Sequence, residues 1–140
     1  MATSMRRVIQ TAVEQTENEL GELYLEKHYQ TVMAHYLREQ GCRVDSEVVV
    51  AYHTSFGLYI GSGRIDLVVK LNGEVGLLEL KAGVAPCGGQ KQKAIKQVLR
   101  YQLHYPQPCS AHVVFFATQA FKNVYHFPGA HVKDETQEES

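Results

Sequence analysis

Apolar residues follow two different periods along this chain, and the change of period separates helical from extended segments. Tyr29, Val32, Met33, Tyr36 and Leu37 recur at the spacing of one helix face, and Gly41 stands where a C-terminal cap belongs. A weaker pattern of the same kind runs from about Met5 to Leu20, with Gly21 between the two. EVVVAY, from Glu47 to Tyr52, is a β-branched run that predicts a strand. HTSFG and GSG interrupt the chain before RIDLVVKL, and Asn72-Gly73 leads into EVGLLELK. After GVAPCGGQ, the run KQKAIKQVLRYQLHY predicts a helix with Ile95, Val98, Leu99, Gln102 and Leu103 on one side, ended by Pro106 and Pro108. AHVVFFAT reads as a buried strand and NVYHF as a further one.

The resulting order, α-β-β-β-α-β, predicts a mixed α/β (α+β) domain in which helices flank a central sheet. Its bounds are residues 21–132, preceded by a helical extension over residues 1–20 and followed by an acidic, disordered tail over 133–140.

Composition adds little to this until it is mapped onto the segments. The formal net charge of −1 argues against indiscriminate binding to polyanions. The tail KDETQEES holds four acids and one lysine, however, which leaves 13 basic and 11 acidic side chains over residues 1–132. Arg64, Lys70, Lys81, Lys91, Lys93, Lys96 and Arg100 face only Asp66, Glu74 and Glu79 in their stretch. A basic sector around a small acidic cluster suits phosphate chemistry, although a solvated lysine-rich helix accounts for the same charges. Cys42, Cys87 and Cys109 are scattered and odd in number, so they predict ordinary thiols in a reducing, intracellular compartment. No signal-peptide pattern and no apolar run of membrane-spanning length is present in the sequence.

The Asn-Gly pair carries the most informative local geometry. A two-residue type I′ turn at Asn72-Gly73 sets Leu71 opposite Glu74 and, counting outward, Asp66 opposite Glu79. Opposed residues share a sheet face with Cβ atoms roughly 4.5–5.5 Å apart, and Lys81, two residues on, shares that face. Ile65, Leu67, Val68, Val69, Leu77, Leu78 and Leu80 surround them. Two like charges in an apolar sheet destabilise it, and a hard divalent cation between them removes the conflict. The competing explanation is a structural ion pair in which Lys81 and Arg64 neutralise the acids.

GRIDLVV, LLELKAG and QVLRY, in this order, resemble the sequential motifs of the PD-(D/E)xK nuclease superfamily. In that resemblance Asp66 is the motif aspartate, Glu79-Leu80-Lys81 the ExK tripeptide, and Gln97 with Tyr101 the QxxxY element of RecB-like nucleases. Within the superfamily the chain is similar to the GxxExxY group. LYLEKHY places Glu26 and Tyr29 at the ExxY positions, with Leu23 where that group has glycine. The resemblance covers about residues 20 to 127 and implies a restriction-endonuclease-like core with a mixed sheet. It further implies a Mg²⁺- or Mn²⁺-dependent deoxyribonuclease acting in repair, recombination or end processing. Asp66, Glu79 and the Leu80 carbonyl would hold the metal with Glu26 in support, Lys81 would act on the water and phosphate, and Gln97 would edge the site. Tyr101, Lys93, Lys96 and Arg100 would contact nucleic acid, DNA before RNA. The helical spacing of Glu26 to Tyr29 and Met33 points it along the buried face of its helix. Homo-oligomerisation is left open, as is a catalytically silent nucleic-acid-binding or interaction module on the same fold.

Overall fold

A computed structural model of the chain describes residues 4–82, 88–116 and 123–129. The predicted tail and Cys87 lie outside these residues. In chain order the elements are α1 (Met5–Leu20), α2 (Glu26–Glu39), β1 (Arg43–His53), β2 (Tyr59–Leu71), β3 (Glu74–Ala82), α3 (Gly88–His104), β4 (Ser110–Phe116) and β5 (Asn123–Phe127).

The two N-terminal helices stop where their sequence tells them to. Ser4 caps α1 by accepting from the Arg7 N–H (3.1 Å), and Gly21, at φ 68°, closes it. Gly41, at φ 93°, lets the Cys42 N–H reach back to the Leu37 carbonyl (3.1 Å) and the Gly41 N–H to that of Arg38 (2.9 Å), a Schellman closure of α2. Met5, Val8, Ile9, Ala12 and Val13 of α1 are buried in one cluster with Tyr29, Met33 and Leu37 of α2. Residues 1–20 were expected as an extension; the described part of them is built into the core, because the apolar stripe of α1 has α2 and the sheet to bury it.

The five strands form one sheet in the order β1-β2-β3-β4-β5, antiparallel except where β3 and β4 run parallel. The core on the α1/α2 face takes Leu67, Val69, Leu78, Leu80, Val114 and Phe116 from the sheet. A second core on the α3 face takes Ile65, Val68, Leu77, Val113 and Phe115, packed against Ala94, Val98 and Tyr101. A sheet covered on both faces explains the nearly unbroken apolar runs of β3 and β4.

The predicted helix face of α3 needs correction. Ala94, Val98 and Tyr101 are buried, while Leu99 is exposed and Leu103 is 79% exposed. Counting aliphatic residues misplaced the stripe, since Tyr101 is the larger apolar body and sets which side turns inward. Among the described residues, no helix is long and apolar enough to cross a membrane.

Candidate active site

The Asn72-Gly73 turn has both residues at positive φ (53° and 83°), as a type I′ turn requires, and the register runs from Leu71↔Glu74 to Leu67↔Leu78. There the ladder ends. β2 continues along β1 to His53↔Tyr59, whereas β3 continues along β4 to Ala82↔Phe116. Asp66 and Glu79 are the first residues beyond this fork, so the expected direct cross-strand pair is replaced by another arrangement. The Leu80 N–H, which a continued ladder would have occupied with backbone, donates to Asp66 Oδ2 at 2.7 Å. The carboxylate thus fills the fork.

Glu79 is only 3% exposed. Lys81 Nζ lies 3.1 Å from its Oε2, while its Oε1 is buried without a hydrogen-bond partner. Arg64 does not neutralise Asp66; its guanidinium pairs with Glu47 instead (3.3 Å). Burial is the main force on both acids. It pushes Asp66 up to about 6, against the lowering effect of the Leu80 N–H, and Glu79 up to about 7, with the charge of Asp66 adding and Lys81 opposing. Burial works to lower the Lys81 ammonium, but the Glu79 carboxylate beside it outweighs this and the net direction is upward.

Glu26 reaches the site by a different route from the one its spacing implied. Tyr29 stacks on Phe116 of β4 (ring centroids 4.8 Å apart) and donates from its hydroxyl to the Gly21 carbonyl (2.6 Å), which anchors the start of α2 over the end of the sheet. Glu26 is the first residue of that helix and is exposed, not buried, because no preceding turn covers it. Its carboxylate accepts from the Ala82 N–H at 3.3 Å and adds negative charge felt by both Asp66 and Glu79.

Tyr101 is 1% exposed, which does not fit the expected contact with nucleic acid. Its hydroxyl donates to the Arg64 carbonyl (2.8 Å) and accepts from Gln97 Nε2 (2.7 Å), and burial pushes its pKa upward. The pair braces β2 two residues before Asp66. Gly63 makes room for this brace: a Cβ there would lie 2.6 Å from Tyr101 Cε1 and would collide with the Tyr52 hydroxyl. The sequence pattern alone gives Gly63 no such role, although GSGRID sets it three residues before the motif aspartate.

A cleft of about 560 Å³ opens beside Glu26, Lys81 and Gln97, lined also by Phe115 and by Lys93, Lys96 and Arg100 of α3; Asp66 and Glu79 are not among its lining residues. The three α3 cations are exposed and available to an anionic ligand. Among the described residues no group of three or more His, Cys, Asp or Glu side chains could hold a metal ion. Glu26 therefore stands as an outer charge. What the fork offers a hard cation is two carboxylates with raised pKa values and an unpartnered oxygen on Glu79, beside the backbone of Leu80. That donor chemistry fits a divalent ion, since oxygen ligands and unneutralised charge are what such an ion takes.

A mixed sheet whose central strands fork around a buried glutamate, a half-buried aspartate and a lysine defines a restriction-endonuclease-like protein. A family model described as the PD-(D/E)XK nuclease superfamily matches residues 3–125, and the chain belongs to that superfamily. Its members are generally nucleases, and these typically use divalent metal ions. The crystal structure of SSO0001 superposes with a TM-score of 0.52 at 14% identity, a likeness of fold alone. It covers 93% of this chain but 64% of that one, so the chain spans less than two thirds of that protein. Comparison with curated proteins gives no match.

Proposed function

We propose that this chain is a Mg²⁺- or Mn²⁺-dependent nuclease that hydrolyses phosphodiester bonds in DNA, with Asp66, Glu79 and the Leu80 carbonyl as the metal-holding set. The observation that carries the reading is the buried Glu79 Oε1 without a partner, next to a second acid whose pKa is also raised. An unsatisfied buried carboxylate oxygen is costly, and a cation bound there would remove that cost. When bound, a divalent ion supplies Lewis acidity to the phosphate and lowers the pKa of water.

The remaining roles belong to the chain's own side chains. Lys81 holds its charge at the cleft, where it orients the attacking water and counters the charge developing on the phosphate. Glu26 adds a negative charge at the edge of the same opening and supports the metal-holding pair through water. Gln97 fixes the Tyr101 hydroxyl and borders the cleft, so it holds the Asp66 strand in place from the substrate side. Lys93, Lys96 and Arg100 grip the phosphate backbone along α3.

The purified chain, given Mg²⁺ or Mn²⁺, should cleave at least one member of a panel of linear, circular, nicked and branched DNA and RNA, and EDTA should stop it. Lys81→Ala should abolish cleavage with the circular dichroism unchanged. Undiminished turnover in that variant removes the lysine from the mechanism. No cleavage of any substrate, with nucleic-acid binding retained, favours a silent binding module.

A further inference from the structure

Beyond the fork, β1 and β2 leave the rest of the sheet and continue as a two-stranded arm from Val48↔Ile65 to His53↔Tyr59, with a bulge between Tyr52 and His53. Six residues of β1 at about 3.3 Å each make this arm roughly 20 Å long. One side of it is covered. Val50 is buried, Val48 and Tyr52 pack on the α3 core, the His104 ring lies 4.9 Å from that of Tyr52, and His104 Nδ1 accepts from the His53 N–H (3.3 Å).

The opposite side is bare. Alternation puts Val49, Ala51, His53 and Tyr59 there; Val49 is 65% exposed, Tyr59 is exposed with its ring against His53, and all four are open to solvent. The tip adds Phe56 at 78% exposure, with Leu58 and Ile60 also exposed. A half-covered antiparallel ribbon normally turns polar residues to water. This one turns Val49, Ala51 and Tyr59 outward, with Arg64 and Ser62 as the polar neighbours across from Val49 and Ala51, and from Val48 to Gly63 the chain holds no Asp, Glu, Lys or Arg.

We infer that the arm is the contact surface for a second copy of this chain, joined along the free edge of β1 and over the Val49–Tyr59 face. Charge points to the same partner. Pairing β1 antiparallel with its own copy about Val50 or Ala51 brings no two like charges opposite, because Glu47 then falls across from His53 or Ser55 and Asp45 beyond the strand end. The one Lys or Arg on the arm, Arg64 opposite Val49, is already paired with Glu47 (3.3 Å), which leaves a phosphate backbone little to hold. A highly charged protein partner would find little counter-charge either. Size also fits: five large apolar side chains, each more than half exposed, present on the order of 600 Å². With the β1 edge added, that approaches the roughly 800 Å² per partner of a stable interface and lies at the top of what monomers leave bare. At the base of the arm, Glu47 sits at φ 57° and is held by Gln30 (2.8 Å) and Arg64. That irregularity ends the straight edge and confines pairing to residues beyond it.

Sedimentation velocity of the full chain from 1 to 100 μM (about a hundredfold range chosen to span typical dimer constants) tests this without any substrate. A dimer is expected. Val49→Lys and Phe56→Asp, both at exposed positions, should raise its dissociation constant at least tenfold while leaving the circular dichroism unchanged. A parent that stays monomeric overturns the inference, as does a dimer that survives both substitutions, since the copies then meet elsewhere. A monomeric parent that binds single-stranded oligonucleotide through Phe56 would assign the arm to bases and overturn it too. None of these readouts depends on cleavage, so the inference and the nuclease reading can fail separately.

Discussion

Asp66 accepts a backbone N–H and suffers the charge of Glu79 and Glu26 at the same time. Asp66→Asn keeps an acceptor for the Leu80 N–H and removes the repulsion. The metal-free variant should therefore be more stable than the parent, by about 1 kcal/mol, as read by urea denaturation. The same substitution should erase the rise in melting temperature that millimolar Mg²⁺ or Mn²⁺ gives the parent through linkage. A less stable variant, together with a parent indifferent to metal, would make Asp66 a structural residue. Gln97→Ala removes the donor to the Tyr101 hydroxyl, and activity should fall about ten- to hundredfold, in line with one positioned polar contact. Equal activity would confine the QxxxY match to packing. The cysteines carry no such expectation. Burial raises both described thiols, Cys109 to about 11, so neither is a ready nucleophile.

At the scale of elements, the tightest constraint is the crossing of α3 over β2 at Gly63. Gly63→Ala forces a methyl against two tyrosines and should destabilise the fold by roughly 1–3 kcal/mol, lowering the melting temperature by several degrees. An unchanged melting curve would mean that the brace is loose.

This level also shows what the chain's pattern does and does not encode. Asn72-Gly73 specified both the turn and the register, because only positive φ at two successive residues closes so short a loop. Helix ends were legible at Gly21 and Gly41 for the same reason. Where β2 and β3 separate was not legible, since both strands read as continuous apolar runs and the fork depends on which neighbour each strand finds next. Glu26 was misplaced because helical spacing says which face a residue would take and not whether the helix has begun. The α3 stripe was misread because Leu99 and Leu103 outnumber Tyr101 without outweighing it.

For the molecule as a whole, the two acids at the fork make stability depend on pH in an unusual direction. Both carboxylates have folded-state pKa values, about 6 and about 7, above those of an unfolded chain. The folded state thus binds protons more readily, and the penalty of the charged pair is fully present above about pH 7. Metal-free protein should become more stable as pH falls from about 7 toward about 4.5, where the unfolded carboxylates also begin to protonate. Thermal melts across that range, with EDTA, should show a rise; in Asp66→Asn the slope should be smaller. A stability that declines steadily from pH 7 downward would contradict the burial of this pair.

The fork also dictates an order of events when the chain folds. The β2–β3 hairpin closes over two residues and needs no distant segment, so it can form within microseconds. The half of β3 that carries Glu79 and Lys81 has no such local partner. Its ladder is with β4, Glu79↔Val113 and Lys81↔Phe115, reached only after the whole of α3 has been traversed. Long-range parallel pairing is slow, because the loop entropy is lost before the contacts are gained. A nascent chain should therefore hold its hairpin early and bring its two acids into register late. Pulsed hydrogen exchange would show this as protection at Leu67 and Val69 well before Glu79 and Lys81. A site assembled in that sequence stays incomplete until β4 has docked.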